Sequence, residues 1–248
     1  MLRRQFLKGT ANLGTAAGIS ALLPATSAPE KAARRRAGEA GSVRTLPAPA
    51  KGNINVAFVI SANTELIDLA GPWEVFSDVH VDGRGPTMDD MMPFRCYTVS
   101  DRIEILESGG LKVLPDFTFD SVPAPQVVVI PAQRGRSEVM LNWIRENVRT
   151  ADVTMSVCTG AFVLGKAGVL DGLKATTHHE FLDKFAQLYP KVNLERGVRF
   201  VENDRISSAG GLSSGIDLAL HVVDRYFGRE IAQKTADYLE YQGQAWKV

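Results

Sequence analysis

Three short apolar runs organise the chain: residues 54–60 (INVAFVI), 126–130 (QVVVI) and 153–157 (VTMSV). Runs of this length, rich in β-branched residues, suit strands buried on both faces of a sheet. Segments with apolar residues at helical spacing lie between them. Residues 66–79 form one. Residues 137–148 form another, with Ser137 as N-cap and Val139, Leu141, Ile144 and Val148 mostly on one face. Strands alternating with helices predict a mainly parallel sheet with helices on both faces, a three-layer α/β fold.

The middle of the chain is less regular. Residues 94–99 and 111–114 read as strands, and 83–86 as a turn. Residues 115–125 (PDFTFDSVPAP) read as a loop crossing one end of the sheet. Residues 174–177 are strand-like. Residues 198–201 and 205–208 flank Glu202-Asn203-Asp204 and predict a strand pair with a short turn. AGGLSSG (209–215) then leads into helices at 216–226 and 229–240, punctuated by Gly228. No internal repeat is visible, and a single α/β domain over 53–248 is the economical reading.

Composition adds limits. The 248 residues are 45% hydrophobic and 23% charged, with formal net charge zero. Residues 1–28 hold Arg3, Arg4 and Lys8 and no acid, so the remainder is mildly acidic. No basic stripe points to nucleic acid. A charged start, a weakly apolar Ala/Gly-rich run and small residues at Thr26-Ser27-Ala28 read as a secretory leader. Its paired arginines with Phe-Leu-Lys resemble a twin-arginine signal, which implies the twin-arginine export machinery as a partner and a periplasmic or secreted product. The apolar stretch is too short to leave a stable membrane anchor. Residues 29–52 read as a flexible linker. The two cysteines, Cys96 and Cys158, do not make a disulfide scaffold. No ligand spacing for a metal appears, and no cofactor is expected.

Cys158 carries the candidate chemistry. It sits where a buried strand meets a small-residue, helix-like segment, the setting of a nucleophile elbow. The following helix N-terminus is expected to lower the thiol pKa and to offer backbone N–H groups to a developing anion. A buried, inert cysteine at a strand end is the alternative. Asp68 lies in the loop that opens the first helix, at the sheet edge the elbow also faces. Its alternative is a helix N-cap. Thr159 offers its N–H and hydroxyl beside the nucleophile, or else a hydroxyl bonded to its own backbone. His178 and His179 follow an extended segment, on which neighbours face opposite ways, so at most one reaches Cys158. His221 reads as a core histidine. Gly210 and Gly211 allow a tight turn near the site and lack the phosphate-loop pattern.

Three blocks resemble the ThiJ/PfpI superfamily, whose fold is class I glutamine amidotransferase-like and flavodoxin-like. They are IDLAGPWEVF (67–76), SVCTGAFVLG with its continuation to Ala175-Thr176-Thr177-His178, and AGGLSSGIDLAL (209–220). The combination is similar to the branch holding isonitrile hydratases and the ligand domains of AraC-type regulators. The resemblance implies active residues at Asp68, Cys158 and Thr159, supporting chemistry from His178 and a substrate pocket at Gly71, Gly210 and Gly211. Where the family often has Pro-Gly-Gly, whose N–H groups help form an oxyanion hole, this chain has Pro131-Ala132-Gln133, so Ala132 and Gln133 take those places. The activity implied is a cysteine-dependent hydratase or hydrolase of a small molecule, converting an isonitrile to an N-substituted formamide through a thioimidate. The alternatives are a glyoxalase, deglycase or protease activity, or a non-catalytic small-molecule-binding domain. The resemblance also suggests a homodimer.

Overall fold

The computed structural model describes residues 44–248; the expected leader and the start of the linker lie outside them. In chain order the strands are β1 (Ile54–Val59), β2 (Phe94–Ser100), β3 (Leu106–Ser108), β4 (Leu111–Val113), β5 (Phe117–Thr118), β6 (Val127–Ile130), β7 (Val153–Val157), β8 (Lys174–Ala175), β9 (Asn193–Leu194), β10 (Phe200–Glu202) and β11 (Ile206–Ala209). The helices are α1 (Leu66–Ser77), α2 (Met88–Met91), α3 (Glu138–Thr150), α4 (Ala161–Ala167), α5 (Leu182–Leu188), α6 (Ser214–Phe227) and α7 (Arg229–Tyr238).

The main sheet has seven strands in the order β10-β11-β7-β6-β1-β2-β5. Every pairing is parallel except β10–β11, the strand pair expected around residues 202–204. The three apolar runs are its central strands, and they serve two cores. Val56, Phe58, Val127, Val129, Val153 and Met155 face one core, shared with α1, α6 and α7. Ala57, Val59, Val128 and Ile130 face the other, shared with α3, α4 and α5. This is the three-layer α/β arrangement, and burial on both sides explains why these strands lack a polar face.

Several expectations are corrected. The supposed loop at 115–125 contributes β5, a two-residue edge strand paired with the end of β2. Two residues are too few to leave a periodic signal. The buried face of α3 is Met140, Leu141, Trp143 and Ile144, whereas Val139 is exposed. Trp143 packs against Phe119, its ring centroid 5.4 Å away. Ser137 does cap α3, accepting the Met140 N–H at 3.1 Å. The strand-like stretch 174–177 shortens to β8, which pairs with β9.

The end of the linker is not free. Leu46 is 5% exposed and joins the core beside α6. Its N–H donates to the Arg225 carbonyl at 2.8 Å, and Arg225 Nε donates back to the Arg44 carbonyl at 3.1 Å. A single apolar anchor in an Ala/Pro/Gly-rich segment has no periodicity to betray it. Replacing Leu46 with Ala should cost about 2–3 kcal/mol of stability, measured by chemical denaturation, as for other buried leucines. A cost near zero is the outcome for a free tether.

Candidate active site

Cys158 is placed by its backbone. It follows β7 with φ +56°, a left-handed conformation that a residue with a side chain adopts only under constraint. The constraint is visible on both sides of the residue. Its N–H donates to the Gly210 carbonyl at 2.7 Å, and its carbonyl accepts from Thr177 Oγ1 at 2.8 Å. Gly160 completes the turn. A Cβ there would lie 2.0 Å from the Ile130 carbonyl oxygen at the end of β6, so only glycine lets the chain pass. This is the expected elbow. The cysteine it presents is 7% exposed.

Asp68 stands in the first turn of α1 and is fully buried. It is not a cap, because the N-cap position is Glu65, which makes no side-chain cap bond. Instead Oδ2 accepts the Ala132 N–H at 3.0 Å. The Ala132 carbonyl in turn accepts the Glu65 N–H at 2.8 Å. One residue of the β6 loop therefore holds α1 and its carboxyl together. Oδ1 is buried and has no hydrogen-bond partner among the described residues.

Burial pushes the Asp68 carboxyl up to about 7, against the opposing Ala132 N–H, and the Glu65 carboxylate raises it further. The Cys158 thiol and the Leu212 N–H weakly favour the ionised form. Cys158 is pushed up to about 11, first by burial and then by the Asp68 charge; the Thr159 and Leu212 N–H groups act in the other direction. The expected low thiol pKa is therefore corrected. A three-residue turn and a seven-residue α4 give a short dipole, and loss of water outweighs it.

The other site expectations sort themselves by geometry. Thr159 has its N–H beside the sulfur, and its hydroxyl makes no hydrogen bond among the described residues, so it is not bound to its own backbone. The Ala132 N–H is committed to Asp68 and is not free for an incoming anion. Gln133 is buried, with its side-chain amide donating to the Val59 carbonyl at 2.7 Å. Gly71 does not line the cavity that Gly210 and Gly211 share. It faces α6, where a Cβ would touch Ile216 at 3.0 Å.

Gly210 and Gly211 do line a cavity of about 300 Å³, with Thr177, His178, His179 and Arg199. The two histidines are not on opposite sides: their rings lie 4.4 Å apart, because a tight helical turn begins at His179 and the extended run stops at His178. His178 Nδ1 accepts the Glu180 N–H at 3.3 Å, and its ring packs on Gly211, where a Cβ would come within 2.3 Å of it. The charged groups that raise the Cys158 thiol are Asp68 and Glu65. His221 is a core residue bonded to Glu202 at 2.6 Å.

Two contributors escaped the sequence reading. Leu212 (φ +51°) turns its N–H toward both the acid and the thiol. Thr177 holds the elbow carbonyl. Each lies inside a motif, but nothing in its residue type announces a backbone role. Cys96 and Cys158 are both free thiols. Among the described residues no His/Cys/Asp/Glu group is arranged to hold a metal, and no helix is long and apolar enough to cross a membrane.

The model of the DJ-1/PfpI family matches residues 54–225. An isonitrile hydratase of Pseudomonas putida is 30% identical over 76% of this chain and 78% of its own length. The HTH-type transcriptional regulator GbdR of Pseudomonas aeruginosa is 27% identical over 76% of this chain, which spans only 51% of that regulator. Among solved structures, a ThiJ/PfpI family protein from Pseudomonas syringae superposes with a TM-score of 0.67 at 23% identity, covering 79% of this chain and 78% of the other. Drosophila melanogaster DJ-1beta superposes at 0.66 and 16% identity, covering 77% and 100%.

Two predictions test this geometry. Gly160→Ala should destabilise the fold by roughly 3 kcal/mol in denaturant titration, since backbone is what the new methyl meets. Asp68 binds its proton more tightly folded than at its ordinary 3.8, so its stabilising contribution is full at low pH and is lost as pH rises through about 7. Asp68→Asn keeps the acceptor for Ala132 and removes that loss. The stability of the variant relative to wild type should therefore climb by roughly 2–4 kcal/mol between pH 4 and pH 7 and then level off. A pH-independent difference is the contrary result.

Proposed function

The chain belongs to the DJ-1/PfpI family, and we propose that within it the chain is a cysteine-dependent hydratase of a small molecule, acting on an isonitrile-type carbon. One observation carries the reading: a fully buried carboxyl with an unpartnered oxygen stands beside a thiol on a constrained elbow. The likeness to an isonitrile hydratase supports the substrate class.

The proposed steps use this chain's own groups. With its pKa near 7, Asp68 is partly ionised at neutral pH and suits proton transfer in both directions. As Cys158 sulfur bonds to the terminal isonitrile carbon, the thiol proton passes to Asp68 and from there to that same carbon. The product is a thioimidate. Asp68 then takes a proton from water as the water adds to the C=N carbon, and the nitrogen is protonated. Collapse releases the N-substituted formamide and returns the thiol. The N–H groups of Thr159 and Leu212 face the sulfur and favour its ionised form as the proton leaves. A terminal carbon with no substituents suits a cysteine that is only 7% exposed. No metal or organic cofactor enters these steps.

The Asp68 carboxyl that acts on the sulfur supports an acid–thiol pair, and so a hydratase over a protease. A binding domain without turnover is the second reading. It draws on the near-complete burial of the thiol and on regulators among the relatives. The Arg3-Arg4 leader, outside the described residues, supports export by the twin-arginine route as part of the same proposal.

The deciding assay is formamide production from alkyl isonitriles. Cys158→Ala should fall to background, and Asp68→Asn should lose about 10²–10⁴-fold, the usual weight of a general acid–base group. Iodoacetamide labelling of Cys158 at pH 9 should instead be faster in Asp68→Asn, because removing the neighbouring charge lowers the thiol pKa. Undiminished hydration by Cys158→Ala refutes the mechanism, and no turnover by wild type across the panel favours the binding domain.

A further inference from the structure

The cavity beside the elbow has a chemistry of its own. Thr177 and Gly210, which grip the Cys158 backbone, both line it, as does Leu212, whose N–H faces the thiol. The cavity is thus one residue away from the sulfur. No carboxylate lines it among the described residues. Arg199 does, with its side chain 42% exposed, while its partner Asp217 is 1% exposed. Arg199 Nε meets Asp217 Oδ2 at 2.7 Å, and Tyr241 donates to the same oxygen at 2.9 Å. Nη1 has only a long contact of 3.4 Å, to Ser213 Oγ. The cavity is therefore offered the cation and not the acid that anchors it. His178 and His179 line the same cavity. Because His178 Nδ1 is an acceptor for Glu180, the ring's remaining proton lies on Nε2, a second donor.

We propose that this cavity seats an anionic group, a carboxylate or phosphate, of the small molecule that reaches Cys158, held by the outward edge of Arg199 together with the paired histidines of the same lining. A guanidinium fixed in place by a buried carboxylate is a pre-organised fork for such a group, and a volume of about 300 Å³ fits a small organic acid. The proposal rests on Cys158 being the reacting group and names the kind of substrate that site prefers.

Benzoate, its neutral analogue benzamide and inorganic phosphate serve as probes. Benzoate should slow iodoacetamide labelling of Cys158 and shift the imidazole resonances of His178 and His179, leaving His80 and His221 as internal controls; benzamide should do neither. A stronger effect of phosphate than of benzoate identifies a phosphate seat. The R199Q/D217N double variant, which strands no buried charge, should weaken benzoate binding about three- to fivefold, the size expected of one half-exposed cation. Where that variant does not fold, Ser213→Asp places a rival carboxylate at the rim and should abolish the effect. Equal action of benzamide and benzoate, or no imidazole shift with any anion, overturns the proposal. If Cys158 resists labelling but the imidazoles still respond to benzoate, the anion seat stands and the reactive-thiol reading falls.

Discussion

A fully buried carboxyl group with no cation beside it among the described residues is the constraint on which the site depends. Asp68 is fully buried, and the donors near it are backbone N–H groups and a thiol. Burial of this kind favours the neutral acid, and the Ala132 N–H only partly restores the anion. The fold keeps this unfavourable placement because Ala132 ties α1 to the β6 loop from both its N–H and its carbonyl. Under the proposed function, the stability given up leaves a carboxyl able to exchange a proton near neutral pH, a trade typical of functional groups.

The elbow solves a matching problem for sulfur. A parallel strand ends at the edge where loops gather, but an extended residue there would point along the strand. A left-handed φ turns Cys158 out of line and toward the acid. The strain is held by neighbours on three elements: the Gly210 carbonyl after β11, the Thr177 hydroxyl after β8 and the close approach of Gly160 to the end of β6. None of these contacts touches the sulfur. They set its position, so loss of any one would misplace the chemistry without removing a reacting atom.

The sheet was legible because its central strands are buried on both faces, which compels runs such as VVVI to be apolar throughout. The elbow was legible too, since Cys158, Thr159 and Gly160 each answer a local demand of that turn. What could not be read was anything decided by partners distant in sequence. The extended segment before His178 suggested alternation, but a turn that begins at His179 stacks the two rings. The helix after Cys158 suggested a lowered pKa, but burial from all sides raised it. Ala132 looked like a free oxyanion donor until Asp68, more than sixty residues earlier, proved to occupy its N–H. Leu46 offered one apolar residue in a polar tether, and only the packed α6 gives it meaning.

The two raised pKa values also bear on what kind of substrate such a site suits. Burial holds the proton on sulfur, pushed up to about 11, while the carboxyl, pushed up to about 7, is only partly ionised at neutral pH. A standing thiolate is therefore not the reagent. Sulfur becomes nucleophilic only as its proton leaves, and the carboxyl is too weak a base to keep that proton unless a new bond forms at the same time. An electrophile that gains both sulfur and hydrogen at one carbon answers this requirement, because the proton passes through Asp68 without resting there. A carbonyl carbon accepts sulfur but sends the proton to oxygen, where a second donor must be waiting. In the proposed mechanism, addition at a single carbon atom is thus the step these two groups suit, through the same burial that makes the acid costly to keep.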